Sequence, residues 1–165
     1  MDFLRWIEET AVSVWAREDP YAYFAFLIFH AFGMALLVGG GIAVALRLLG
    51  VAAAARLEAF AGFFPVMWLG AALATVSGLG LLAAYPAKAL TNWIFALKFA
   101  CLLGAALLLR RIARDHFATA SRGERLPATA PSVAVAALVL WLGAVACGKL
   151  LLYTYSILMT ADTPR

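Results

Sequence analysis

Four long segments of this 165-residue chain contain no acidic side chain. They cover residues 21–46, 59–87, 89–109 and 126–161, and the only charged residues inside them are Lys98 and Lys149. About 20 helical residues cross a hydrocarbon core of roughly 30 Å, so each segment is long enough to span a membrane. Because lipid satisfies no backbone N–H or C=O group, such segments favour helices.

The composition supports a membrane protein. Hydrophobic residues make up 65% of the chain and charged residues 13%, against about 45–50% and about 25% in soluble domains. The sequence therefore predicts an all-α fold, a transmembrane four-helix bundle forming a single integral membrane domain over residues 1–165. The predicted spans are residues 21–46, 60–85, 91–111 and 132–158.

The start of the chain is too polar for the apolar core of a cleaved secretory signal. Apolar residues between positions 3 and 17 fall on one helical face and acidic ones lie off it, which predicts one interfacial amphipathic helix. The apolar face comprises Phe3, Ile7, Ala11, Val14 and Trp15.

The distribution of basic residues predicts the orientation. The first and third connections are rich in arginine, whereas the second carries only Lys88. Since Lys and Arg in short loops favour the cytoplasmic side, both termini are expected to face outward, N-out and C-out. The basic third connection is explained by this rule and by contact with anionic lipid, and we expect no nucleic-acid partner.

Three polar side chains are predicted to share the outer half of the bilayer. At about 1.5 Å per residue, His30 lies roughly 13 Å below the start of the first span, and Lys98 roughly 10 Å below the start of the third. The fourth span runs outward, which puts Lys149 roughly 6 Å below Tyr153, at the level of an aromatic belt.

Two lysines inside spans need an explanation, since each costs roughly 3 kcal/mol near the membrane centre. One is snorkelling, in which the ammonium reaches the headgroups. The other is a bound acceptor: a lipid phosphate, haem propionates, a quinone carbonyl or an acid from a partner subunit. On this second reading the predicted ligand-binding residues are His30, Lys98, Lys149, Gly33 and Tyr153.

His30 has three interpretations. It is a neutral imidazole hydrogen-bonded between helices, a metal-binding residue that ligates haem iron with Gly33 admitting the macrocycle, or part of a proton relay. His116 lies in the predicted cytoplasmic loop, so a second histidine at matching depth is missing. Haem b held by two histidines of one chain is therefore not expected.

Other features favour a role without catalysis. The chain has no phosphate-binding loop, nucleophile elbow, zinc-protease motif or carboxylate pair. Cys101 and Cys147 fall inside spans, where thiolate formation is disfavoured, and they are interpreted as packing residues. Small residues at Ala31, Ala35, Gly39 and Ala43 form a ridge that predicts close packing of the first span within the chain, with dimerisation as the alternative.

Several motifs, in order, resemble a known family. They are "HAFGMALLVGG", "LRLLG", "SGLGLL", "NWIFALKF" and "LWLGAVACGKLLLY". The pattern resembles an uncharacterised family of small bacterial inner-membrane proteins with four helices, distantly like the CopD copper-resistance membrane proteins, over about residues 6–153. The resemblance implies a bacterial inner-membrane location and places His30, Arg47, Lys98 and Lys149 at the family's polar landmarks.

The chain departs from this family pattern in three places. Ala45 stands where an acid often precedes the motif arginine, Lys149 stands where arginine is usual, and "LLLRR" replaces a histidine near the end of the third helix. These losses weaken the case for metal or proton coupling. The leading hypothesis is a non-enzymatic subunit that binds haem, quinone or lipid. The alternatives are a CopD-like transporter of metal or small solutes, and a structural subunit of a larger complex or homo-oligomer.

Overall fold

The computed structural model describes residues 2–51, 53–117 and 128–161, and it contains no strand within these ranges. The described α-helices are α1 (Asp2–Glu8), α2 (Ala11–Glu18), α3 (Pro20–Leu48), α4 (Phe63–Ala84), α5 (Pro86–Leu90), α6 (Trp93–Arg111) and α7 (Ala130–Ala161). A short 3₁₀ helix, Leu57–Gly62, precedes α4, and a π-helical turn, Ile112–Phe117, follows α6.

The all-α prediction with four membrane-spanning helices is confirmed. The candidate spans are Pro20–Leu48, Leu57–Ala84, Trp93–Asp115 and Ala130–Leu151. The helices begin and end within a few residues of the predicted limits. Arg122 and Arg125 of the predicted cytoplasmic loop lie outside the described residues.

The amphipathic start of the chain forms two helices where the sequence predicted one. Helix α1 ends at Glu8. Thr10 then caps α2, where its side chain accepts a hydrogen bond from the Ser13 backbone N–H at 3.4 Å. The Ser13 hydroxyl in turn donates to the Ala83 carbonyl at 2.7 Å, which fastens α2 to the end of α4. Trp6 and Trp15 remain 62% and 54% exposed, as an interfacial segment requires.

Local signals set both ends of α3. The Asp19 carboxylate accepts the backbone N–H groups of Tyr21 and Ala22 at 2.9 and 2.8 Å, and Pro20 occupies the first turn. At the other end Gly50 takes a φ of +93°, and the backbone N–H of Val51 reaches back to the Leu46 carbonyl. This is a Schellman stop, for which glycine is the favoured residue.

The closest helix contact joins α3 to α4 through two glycines. A Cβ on Gly33 would lie 2.5 Å from the Ala74 backbone nitrogen, and one on Gly70 would lie 2.7 Å from the Gly33 carbonyl oxygen. The two backbones therefore touch where neither helix carries a side chain. Close approach of this kind is a main source of helix association in lipid.

The predicted packing ridge on α3 is on the wrong face. Ala31, Ala35 and Gly39 are exposed, and a Cβ on Gly39 would meet nothing within 4 Å. Gly33 lies two residues from the predicted ridge, a turn of about 200°, and is on the face that α4 covers. Small residues also recur on the buried face, at Gly33, Gly41 and Ala45, but Leu37 interrupts their spacing, so regular spacing alone did not identify that face.

The four spans are arranged in the order α4, α3, α7, α6. Helix α3 packs against both α4 and α7, and α7 packs against α6, whereas α4 and α6 are not among the pairs that pack extensively in the described part of the chain. The buried core lies towards the end of the bundle where α3 stops, around Trp141, whose indole fills the space above Gly41. A gap is left between α4 and α6.

Gly33→Ala is expected to destabilise the protein by about 1–3 kcal/mol, because its methyl group meets α4 backbone that cannot rotate away. The matched control is Gly39→Ala on the same helix, which adds the same methyl group to open space and should leave stability unchanged. Thermal unfolding in one detergent would measure both. Equal melting temperatures for the two variants would contradict the assigned packing face.

Candidate functional site

The gap between α4 and α6 forms a cleft of about 600 Å³. Its walls are predominantly apolar, and α3 and Trp141 of α7 form its back. Trp68, Leu79, Phe99 and Leu103 line it and are exposed, so the cleft opens sideways towards the position of lipid. A volume of about 300–1,000 Å³ with few polar groups is typical of small-molecule sites.

His30 projects from α3 into this cleft and links it to α4. Its Nδ1 lies 2.9 Å from the Ala74 carbonyl oxygen and 3.4 Å from the Ser77 hydroxyl oxygen. A carbonyl only accepts, so Nδ1 carries the proton and donates it to Ala74. The Ser77 hydroxyl is 2% exposed and donates to the Leu73 carbonyl at 2.6 Å. The remaining imidazole nitrogen, Nε2, is therefore an acceptor.

Lys98 of α6 reaches that acceptor. Its Nζ lies 3.4 Å from His30 Nε2, so the amine donates to the imidazole across the cleft. His30 is the only hydrogen-bond partner of Lys98 within the described residues. The side chain is half-buried and turned towards α3, which differs from a snorkelling lysine that extends to the headgroups.

Gly78 leaves room for the imidazole, since a Cβ there would lie 3.1 Å from Cε1 of His30. A Cβ on Gly148 would lie 3.9 Å from Nζ of Lys98, which is an ordinary van der Waals contact. The "SGLGLL" and "ACGKL" motifs thus place small residues opposite the two polar side chains. Bulkier residues at Gly78 would force the imidazole away from Ala74.

Three other predicted ligand-binding residues lie elsewhere. Lys149 is exposed and does not line the cleft, although we expected it beside His30 and Lys98. The neighbouring Gly148 faces Lys98, and the next residue on a helix points about 100° away. Tyr153 is 60% exposed and also outside the cleft lining.

Gly33 has a packing role that differs from the predicted one. The space above it is filled by the backbone of α4, so it does not admit a flat macrocycle as the haem interpretation required. The Lys98 amine also occupies the direction in which His30 Nε2 would bind iron. No group of three His, Cys, Asp or Glu residues suited to a metal ion occurs in the described ranges. The geometry matches the first interpretation of His30, an imidazole hydrogen-bonded between helices.

The polar end of the cleft was not predicted from the sequence. Tyr23 and Tyr85 meet edge to face at 5.9 Å between ring centroids, and Lys88 Nζ lies 5.7 Å from the Tyr85 ring centroid. All three line the cleft near the start of α3. Lys88 was interpreted only as a loop charge. Tyr23 lies on α3 and Tyr85 lies between α4 and α5, so no pattern in the sequence indicated that they meet.

The fold and the cleft together define a multi-pass membrane protein that resides in a lipid bilayer. No protein-family model, no curated protein and no solved structure matches the chain. The polar residues that the sequence motifs contain must therefore be interpreted from their geometry. Arg47, in the motif "LRLLG", donates to the Ala55 and Ala53 carbonyls at 2.9 and 3.3 Å and so stabilises the loop after α3.

Added haem is expected to give no spectrum of histidine-ligated iron with the wild-type protein, because Lys98 occupies the free side of the imidazole. The measurement is an absorption titration of the purified protein with haemin, with His30→Ala as the control for non-specific uptake. A Soret band that depends on His30 would show that Lys98 moves aside, and would restore the haem interpretation.

Proposed function

We propose that the protein is a non-enzymatic membrane subunit that binds an amphipathic, lipid-soluble molecule in the cleft between α4 and α6. The ligand has a long apolar part and an oxygen acceptor, either a carboxylate or phosphate oxygen or a quinone carbonyl. Lys98 donates to that oxygen, and His30 positions Lys98. The observation that carries the proposal is this polar pair in a predominantly apolar, sideways-open cleft.

The charge at Lys98 supports an acceptor supplied from outside the chain. No described acidic side chain forms an ion pair with Lys98. Glu18 pairs with Arg17 at 3.7 Å, and Asp19 is engaged by the start of α3. An ammonium has three N–H donors, of which His30 accepts one. A ligand oxygen would use another and offset part of the cost of burial.

The shape of the cleft supports a ligand with a long apolar part. The lining extends from Lys88 at one end to Arg110 at the other, along most of α4 and α6. The residues between them are mainly leucine, phenylalanine and alanine, which suit an apolar chain. Entry through the open side would let the molecule pass from the bilayer without crossing water.

The proposal has a membrane context that follows from the basic residues and the family resemblance. We place the protein in the bacterial inner membrane with both termini outside, and the His30–Lys98 pair in the outer half of the bilayer. Helix α3 also has an exposed face of small residues that suits a neighbouring helix of a larger membrane complex or homo-oligomer. A CopD-like transport role remains the alternative, and no feature of the cleft singles out a metal ion.

Lys98→Met is expected to lower the amount of co-purifying ligand about tenfold to a hundredfold, the value of one charge-assisted hydrogen bond of about 1.5–3 kcal/mol. Lys149→Met is the matched control, since it removes a lysine from a span but not from the cleft. Mass spectrometry of extracts from equal amounts of each protein measures the loss. Identical small-molecule contents in both variants would contradict binding at Lys98 and favour a structural subunit.

Two probes distinguish the sources of the oxygen acceptor. A decyl-substituted benzoquinone represents the quinones, and oleate represents the acidic lipids. Because Trp68 lines the cleft, a bound quinone is expected to quench its fluorescence. Saturable binding of one probe, weakened by Lys98→Met and unchanged by Lys149→Met, identifies the class. Trp68→Phe corrects for quenching of the other tryptophans. Binding of neither probe would contradict the proposal.

A further inference from the structure

The two cysteines of the chain meet across the interface between α6 and α7. Cys101 lies on α6 and Cys147 on α7, and these two helices pack against each other. Gly143, one turn before Cys147, leaves the space that Cys101 occupies, since a Cβ there would lie 3.3 Å from Cys101 Sγ. Both cysteines are free thiols. The sequence interpretation as separate packing residues overlooked that they form a pair.

Lys98 lies beside this pair as well as beside His30. It precedes Cys101 by about one helical turn on α6, and its Nζ lies beside Gly148, the residue after Cys147, at 3.9 Å from where a Cβ would be. The thiolate is the reactive form of cysteine, and a neighbouring cation favours it. Burial in an apolar span opposes thiolate formation, so the lysine supplies what a pair of buried thiols otherwise lacks.

We propose that Cys101 and Cys147 are a redox-active dithiol, oxidised to an interhelical disulfide by a membrane-soluble two-electron oxidant of the quinone class. In the net reaction the two S–H bonds break and one S–S bond forms. The two electrons and two protons pass to the two quinone oxygens, and the product is the quinol. Atoms and charge balance without a further reactant.

Access and packing are consistent with this reaction. Cys101 is only half-buried, so an oxidant in the bilayer can reach its sulfur, whereas Cys147 is 5% exposed and serves as the internal partner. Helices α6 and α7 already pack against each other, so the disulfide would covalently join two elements that need no rearrangement to meet. The crosslink would fix α6, and therefore Lys98, relative to the back of the cleft.

The test uses the full chain, reduced and reconstituted into lipid nanodiscs, with the decyl-substituted benzoquinone as oxidant. The expected result is loss of both free thiols, an intact mass lower by two hydrogen atoms, and one peptide pair joining Cys101 to Cys147. One quinol should form for each disulfide. Thiols that stay reduced, or disulfides that only join separate chains, would overturn the proposal.

Single-cysteine variants provide the controls. Cys101→Ser and Cys147→Ser are each expected to give no quinol and no internal crosslink, because either change removes one of the two sulfur atoms. Quinol production by both variants at the wild-type rate would overturn the proposal. Reduction of the oxidised wild-type protein with dithiothreitol should restore both thiols, which tests the disulfide without relying on the folding of any variant.

A separate set of variants tests the role of Lys98. Lys98→Met is expected to slow oxidation about fivefold, since a lower thiolate fraction is partly offset by the higher nucleophilicity of each thiolate. Lys149→Met, which removes a lysine from a span but not from this cluster, should keep the wild-type rate. A rate that is equal in all three proteins would overturn the part assigned to Lys98.

The outcome is separable from that of ligand binding in the cleft. Cys101→Ser keeps Lys98 and His30, so it should retain the co-purifying ligand at the wild-type level while losing disulfide formation. A protein that binds ligand and forms no disulfide contradicts only the redox proposal. A protein that forms the disulfide, with no ligand or probe held at Lys98, contradicts only the binding proposal.

Discussion

The contact between Gly33 on α3 and Gly70 on α4 determines most of what is distinctive in this fold. Because no side chain separates the helices there, the α4 backbone comes close enough for the Ala74 carbonyl to accept a hydrogen bond from His30. That bond fixes which imidazole nitrogen faces the cleft. The lysine of α6 then meets an acceptor and not a second donor, so the packing of two apolar helices decides the chemistry of the polar pair.

The polar pair also shows how a bilayer changes the value of a hydrogen bond. In water Lys98 and His30 would each be solvated, and their interaction would contribute little. In an apolar cleft each has few alternatives, so a donor and an acceptor that find each other avoid the cost of remaining unsatisfied. Lys98 has donors that no partner within the described residues uses, so on the same argument it gains from a ligand oxygen.

The sequence was sufficient to predict the features that depend on local chemistry. The four spans follow from length and hydropathy. Counting depth along three separate helices brought His30 and Lys98 to the same level, where they meet. The position of a residue along a helix determines its height in the membrane, but it does not determine how that helix is rotated about its own axis. For that reason Lys149, at a similar depth, lies outside the cleft, and the ridge at Ala31 is exposed.

The cleft depends on which helices pack against each other, and no local sequence pattern determines that. Helices α4 and α6 are joined by a short connection through α5, and consecutive elements usually pack side by side. Here α6 packs against α7, and in the described part of the chain it does not pack extensively against α4. In lipid this costs little, because an apolar helix face loses no hydrophobic free energy when lipid chains replace protein. The open cleft is therefore stable when filled by lipid alone. Selection among molecules of the bilayer then depends on the places where lipid chains are a poor substitute, the donor groups of Lys98 and the polar end of the cleft at Tyr85 and Lys88.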